Sequence, residues 1–150
     1  MQSDNPLPAI TRVFVYGTLK PGGQYHEEYC GTQLVEAVAA IAPGQLYDFP
    51  HLGYPAMTHR TADSGGQDWV QGFLLIFKNE AILHRLDELE DYDPQGDPTQ
   101  NEYDRQRIAV FTPAKQPLGE AWIYLMAPER AAEMGGMPLP DGHWPLPDGR

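Results

Sequence analysis

A short apolar strand that runs directly into a glycine turn places the strongest limit on how this chain can fold. Val13-Phe14-Val15-Tyr16 is followed by Gly17-Thr18-Leu19-Lys20-Pro21-Gly22-Gly23. β-branched and aromatic residues suit a buried strand, while glycine supplies backbone angles that a side chain would exclude. Such a junction can turn several backbone N–H groups toward one point and form a nest for an oxygen anion. The same turn also serves as a plain connection, so a functional reading needs a second feature. Glu90, far along the chain, supplies it.

At 150 residues the chain fits a single domain over 1–150 with a sizeable core. Its formal net charge is −11, from 21 acidic and 10 basic side chains. With no lysine-arginine stripe to offset that charge, nucleic-acid phosphates are poor partners. A small zwitterionic ligand is not excluded, because a local pocket can oppose the global charge. No apolar run is long enough for a transmembrane helix, which argues against a membrane partner. Met1-Gln2-Ser3-Asp4-Asn5-Pro6 lacks the basic and apolar parts of a signal peptide. The single cysteine, Cys30, cannot form an internal disulfide, which suits a reducing cytoplasm.

The pattern divides the chain as follows. Residues 1–11 form an irregular lead-in, 12–16 the first strand and 17–26 the glycine-rich loop. Residues 33–42 form a second strand, with Leu34, Val35, Val38 and Ile41 available for packing, and Pro43-Gly44 marks a turn. Gln45 to Phe49 alternates like an edge strand and leads to Gly53-Tyr54-Pro55-Ala56-Met57; the polar stretch 61–68 reads as a loop. Trp69 to Phe77 is the strongest strand signal, and Gly72 within it marks a bulge or the close approach of another backbone. The period then changes. Asn79 can cap a helix whose apolar stripe is Ile82, Leu83, Leu86 and Leu89. A surface loop at 91–102 precedes strands at 103–111 and 118–125, separated by the turn Pro113 to Pro117. Six or seven short strands and one clear helix indicate a mixed, mostly β architecture. Closure into a barrel would remove exposed edges, but the spacing fits an open sheet equally well. The tail at 127–150 opens with a helical stretch at 128–134, then becomes irregular; Trp144 and Leu146 either pack it across a core or pocket as a lid or leave it flexible.

Glu90 lies four residues after Leu86 and seven after Leu83, which sets it beside the apolar stripe, while Asp87, Glu88 and His84 fall on the flank or outer face. A carboxylate at the end of an inward face can project into a pocket, where burial raises its pKa and makes it a better base near neutral pH. A partly exposed helix-terminal glutamate is the structural alternative. Tyr16, Tyr103 and Tyr124 each lie at or within strands and offer hydroxyls whose rings can pack. Arg105 can take a substrate carboxylate in two-pronged geometry, or pair with Asp104 or another surface acid. His51, His59, His26, His84 and His143 form no compact ligand motif, so no metal site is expected, and the glycine loop lacks dinucleotide or phosphate-loop spacing.

In this order the motifs resemble the gamma-glutamylcyclotransferase-like family, which includes AIG2-like proteins and gamma-glutamylamine cyclotransferases. Tyr16-Gly17-Thr18-Leu19 with Gly22 or Gly23 resembles its amino-terminal signature. Leu86-Asp87-Glu88-Leu89-Glu90-Asp91-Tyr92 resembles its catalytic-carboxylate segment, Tyr103-Asp104-Arg105 its tyrosine-x-arginine element, and Ala121-Trp122-Ile123-Tyr124 its late barrel strand. The resemblance covers roughly residues 12–126.

It implies an α+β fold, a small mixed β-barrel with flanking helices, and a transferase or lyase that needs no cofactor. The substrate would be a small γ-glutamyl compound, the reaction an intramolecular aminolysis giving 5-oxoproline, and Glu90 the base. Tyr16, Gly17, Thr18 and Leu19 would cradle the substrate, with Tyr103 and Tyr124 shaping the pocket. One departure stands out: Asp91 follows the carboxylate where glycine is frequent, and its charge would raise the pKa of Glu90. A noncatalytic ligand-binding or protein-interaction domain, or a γ-glutamyl hydrolase, would carry the same motifs. Oligomeric state has no signature in the sequence.

Overall fold

Strand alternation decides the architecture, because successive side chains of a strand point to opposite faces and each face here finds its own core. The computed structural model describes residues 10–17, 20, 34–51, 54–59, 69–78, 80–89, 103–139 and 142–144. The elements are β1 (Thr11–Val15), β2 (Leu34–Pro43), β3 (Gln45–Phe49), β4 (Tyr54–Thr58), β5 (Trp69–Phe77), α1 (Ala81–Leu89), β6 (Asp104–Phe111), β7 (Pro117–Leu125), α2 (Pro128–Glu133) and β8 (Met137–Pro138).

β5 is the hub. It runs antiparallel to β1, with Thr11 opposite Phe77 and Val15 opposite Phe73. On its other side it pairs antiparallel with β2 from Leu34 to Pro43. β6 and β7 form an antiparallel pair. A narrow seam joins β2 to β6 at Ile41 opposite Phe111, and a parallel contact of Val13 with Trp122 joins β7 to β1. The order β1-β5-β2-β6-β7 thus closes into a small barrel, beside a separate sheet of order β4-β3-β8. The mixed barrel with flanking helices expected from the sequence is the arrangement observed.

Alternate residues of the barrel strands meet inside the ring. Phe14, Ala40, Ala42, Val70, Leu74, Val110, Ala121, Ile123 and Leu125 form this core with Leu46, Met57 and Trp144. The opposite faces of β1 and β5 present Val13, Val15, Leu75 and Phe77 to Ile82, Leu83 and Leu86 of α1. The helix therefore lies on the outside of the barrel, fixed by the stripe that its period indicated. The side chain of Leu89 lies outside the described residues.

Gly72 has the close-approach role: a β-carbon there would overlap the Val15 carbonyl oxygen and stand 2.9 Å from Phe14 Cζ. The end of β1 can enter the barrel mouth only because this side chain is missing. Val35, by contrast, does not pack. The β2–β5 register skips it between Leu34 and Glu36, and the bulge leaves it 57% exposed. The tail also gains a short strand absent from the sequence reading, β8, which pairs Met137 with Asp48 and Pro138 with Tyr47.

Thr18, Leu19, His26, Cys30, Glu90 and Asp91 lie outside the described residues, as do residues 1–9, the loops at 61–68 and 91–102, and most of 17–26.

Gly72→Ala should destabilise the protein by about 1–3 kcal/mol, because the carbonyl it meets belongs to the backbone and cannot swing aside. Leu86→Ala should cost about 2–5 kcal/mol by opening a cavity between α1 and the barrel. Urea unfolding monitored by tryptophan fluorescence checks both.

Candidate active site

The turn after β1 is built by what is missing from two positions. Gly72 admits the Val15 carbonyl, and Gly17 admits Pro55: a β-carbon on Gly17 would stand 2.7 Å from Pro55 Cγ. The Lys20 amide then donates to the Gly17 carbonyl at 3.0 Å and closes a four-residue turn.

Hydrogen bonds connect three tyrosines to this region of the fold. Tyr16 donates its hydroxyl proton to the Tyr124 carbonyl at 2.6 Å. Tyr103 donates to the carbonyl of Pro55 at 3.0 Å, the residue that abuts Gly17. Tyr124 donates to Asp87 Oδ1 at 2.6 Å. All three are buried. Each hydroxyl directs its proton at a protein acceptor, which fixes the orientation of its ring. The structure thus links Tyr16 to Tyr124 directly, and Tyr103 to Gly17 through Pro55.

Asp87 is the residue that the sequence reading misplaced. It was expected on the flank or outer face of the helix, yet it is only 7% exposed. The reason is the rule applied to Glu90: Asp87 lies four residues after Leu83 and so faces the barrel. Its burial is tolerated because it is paired. Arg105 Nη1 lies 2.9 Å from both carboxylate oxygens. The same guanidinium stands 5.0 Å from the Trp122 ring centroid, so a π-face also holds it. Arg105 is therefore engaged with Asp87, neither of the two partners weighed for it by name. Its sequence signal was an arginine two residues after Tyr103.

Tyr16, Tyr124, Asp87 and α1 form one hydrogen-bonded path from the turn after β1 to the last turn of the helix. α1 is described as far as Leu89, the residue before Glu90. Among the described residues, no group of three or more His, Cys, Asp and Glu side chains is placed to hold a metal ion, and no helix is long and apolar enough to cross a membrane.

Lys20, also missed, is 3% exposed and donates from Nζ to the Trp144 carbonyl at 2.7 Å. Burial pushes its pKa below the ordinary lysine value. Below the folded pKa both the folded and unfolded chains carry this charge; above the unfolded pKa neither does. Between the two the unfolded chain binds more protons, so the Lys20 contribution makes stability rise with pH across that alkaline window.

Lys20→Met should flatten this rise, read from urea midpoints on the alkaline side of neutrality. Tyr124→Phe should cost about 1 kcal/mol, the net worth of one hydrogen bond. Asp87→Ala should cost more, about 2–4 kcal/mol, because it removes an acceptor shared by a buried tyrosine hydroxyl and a partly buried guanidinium. Equal losses in the two variants would contradict the role given to Asp87.

The chain matches a family model, "Gamma-glutamyl cyclotransferase, AIG2-like", over residues 13–146. It is 34% identical over 115 residues to the gamma-L-glutamyl-butirosin B gamma-glutamyl cyclotransferase of Niallia circulans, an alignment covering 77% of this chain and 67% of that protein. Its fold is similar to a Mus musculus AIG2-like protein, with a TM-score of 0.63 at 20% identity over 91% of this chain and 88% of that one. It is also similar to YkqA from Bacillus subtilis, with a TM-score of 0.61 at 20% identity; the match covers 91% of this chain but 40% of YkqA, so this chain spans less than half of that longer protein. With the family model covering both the turn after β1 and α1, the chain belongs to the gamma-glutamyl cyclotransferase, AIG2-like family.

Proposed function

We propose that this protein is a cytoplasmic γ-glutamyl cyclotransferase that converts a small γ-glutamyl amino acid or amine into 5-oxoproline and the free amino acid or amine. The observation that carries this reading is the path from Tyr16 through Tyr124 to Asp87. It ties the turn beginning at Gly17 to the helix whose next residue is Glu90, joining the two motifs a cyclising site would need. The Niallia circulans relative supports the γ-glutamyl head group through its name. Its leaving group is not carried over.

In this mechanism Glu90 is the base. It takes a proton from the α-ammonium of the γ-glutamyl group, and the freed amine attacks the γ-carbonyl carbon of the same molecule. A five-membered ring closes and the carbonyl oxygen becomes an oxyanion. As the carbonyl re-forms, the bond to the departing nitrogen breaks and that nitrogen takes the proton from Glu90. The ring nitrogen then gives its second proton to Glu90, which passes it to the released amine. Atoms and charge balance without an oxidant, a reductant or a water molecule. The protein's main contribution is to hold a folded substrate conformer, since nucleophile and electrophile already share one molecule.

Around that chemistry, Tyr16, Gly17, Thr18 and Leu19 form the cradle for the substrate's carboxylate end, with backbone N–H groups as donors. Tyr103 and Tyr124 shape the pocket around the γ-glutamyl head group. Asp87 is a positioning residue: by anchoring α1 to Tyr124 and Arg105 it fixes the helix end from which Glu90 extends.

Incubation with a panel of γ-glutamyl amino acids and γ-glutamylamines, with products identified by mass spectrometry, tests the proposal. The native chain should release 5-oxoproline, and Glu90→Gln should lower kcat by about 100-fold or more without unfolding the protein. Glutamate as product would identify a hydrolase. Binding without turnover would identify a noncatalytic domain.

A further inference from the structure

The segment after β8 takes no part in the chemistry above, yet it touches both ends of the Gly17–Lys20 turn. Trp144 is buried, and its ring atom Cε3 lies 3.9 Å from where a β-carbon on Gly17 would stand. Its carbonyl accepts from Lys20 Nζ at 2.7 Å. These are the first and fourth residues of the turn, gripped by one residue from the far end of the chain.

The grip is anchored on two strands. The Trp144 indole Nε1 donates to Asp48 Oδ1 on β3 at 3.0 Å. Two residues earlier, the Gly142 carbonyl accepts from the Gln71 amide of β5 at 2.7 Å. The Leu139 amide donates to the Leu46 carbonyl at 2.8 Å, so the strap is tied before, along and at its end. Gly142 has φ +69°, and a β-carbon there would overlap the Trp69 carbonyl oxygen. The backbone lies this close to β5 because the residue is glycine.

We propose that Trp144 and Lys20 are positioning residues, and that the 142–144 strap holds the Gly17–Lys20 turn in its substrate-receiving shape. A glycine-led turn left free would lose conformational entropy each time it ordered around a ligand; a strap that orders it beforehand moves that loss into folding. The substrate's α-carboxylate sits on the carbon that bears the attacking amine, but it keeps its bonds and its charge throughout the reaction. Loosening its cradle therefore weakens ground state and transition state alike, which raises KM and leaves kcat in place. This inference rests on the γ-glutamyl reading for its kinetic part, while the strap itself can be read without any substrate.

Asp48 gives the cleanest test, because it contacts Trp144 from β3 and has no part in the cradle. In Asp48→Ala, hydrogen exchange of the peptide covering Tyr16 to Lys20 should speed up by about tenfold, with the β5 peptide unchanged. KM for the best γ-glutamyl substrate should rise by about fivefold or more, with kcat within about twofold of native. Asp48→Asn keeps an Oδ1 acceptor and should restore both values. Trp144→Ala and Lys20→Met should reproduce the loss; if Trp144→Ala does not fold, the Asp48 pair decides. Native exchange at the turn in Asp48→Ala would overturn the proposal, as would faster exchange with an unchanged KM. If the native chain turns over no γ-glutamyl compound, the γ-glutamyl reading falls, and the exchange measurement alone upholds or overturns the strap.

Discussion

The buried carboxylate of Asp87 joins the two halves of this molecule. A helix packed on a barrel by leucines alone can slide and rotate, since apolar contact is not directional. Asp87 removes that freedom by accepting from Tyr124 on β7 and Arg105 on β6. Breaking either contact would cost a buried carboxylate one of its charge-assisted hydrogen bonds, so the arrangement holds as a unit. Tyr124 passes the constraint on, because its carbonyl receives the hydroxyl of Tyr16 at the end of β1. The position of the helix and the course of the turn after β1 are thereby set by one connected group of side chains.

Apolar residues do the remaining positioning through shape. Two glycines on different strands and turns, Gly72 and Gly17, allow the Val15 carbonyl and the Pro55 ring to approach where side chains would stand. β5 lies between β1 and β2, so the absence at Gly72 is felt directly at the mouth of the barrel. The fold ties the turn after β1, three buried tyrosines and α1 to one another by hydrogen bonds and close packing. That arrangement suits a substrate which carries both its nucleophile and its electrophile, since such a reaction needs a shaped enclosure and a single proton carrier.

Much of this was legible in the sequence wherever the signal was local. Trp69 to Phe77 and the Ile82, Leu83 and Leu86 stripe announce their strand and helix through periodicity, and the structure places both accordingly. Gly72 was legible as a break in an otherwise apolar strand. What local pattern could not supply was the pairing of polar groups across the fold. Asp87 finds its partners 18 and 37 residues later, and Lys20 finds Trp144 at a separation of 124. An acidic side chain read without its partners looks like a solvated face, so Asp87 was expected on the flank or outer face; Arg105 and Tyr124 explain why it can be buried instead. β8 escaped notice for a related reason, since two residues carry no period and their strand character comes from β3.

The central proposal, that the protein closes a γ-glutamyl group to a lactam, is tested most directly with ¹⁸O-labelled water. The protein is incubated with a γ-glutamyl substrate in H₂¹⁸O and the products are weighed by mass spectrometry. Intramolecular attack never admits water to the γ-carbon, so 5-oxoproline should form with no label. Glutamate carrying ¹⁸O in its γ-carboxylate would show that water is the nucleophile and contradict the account.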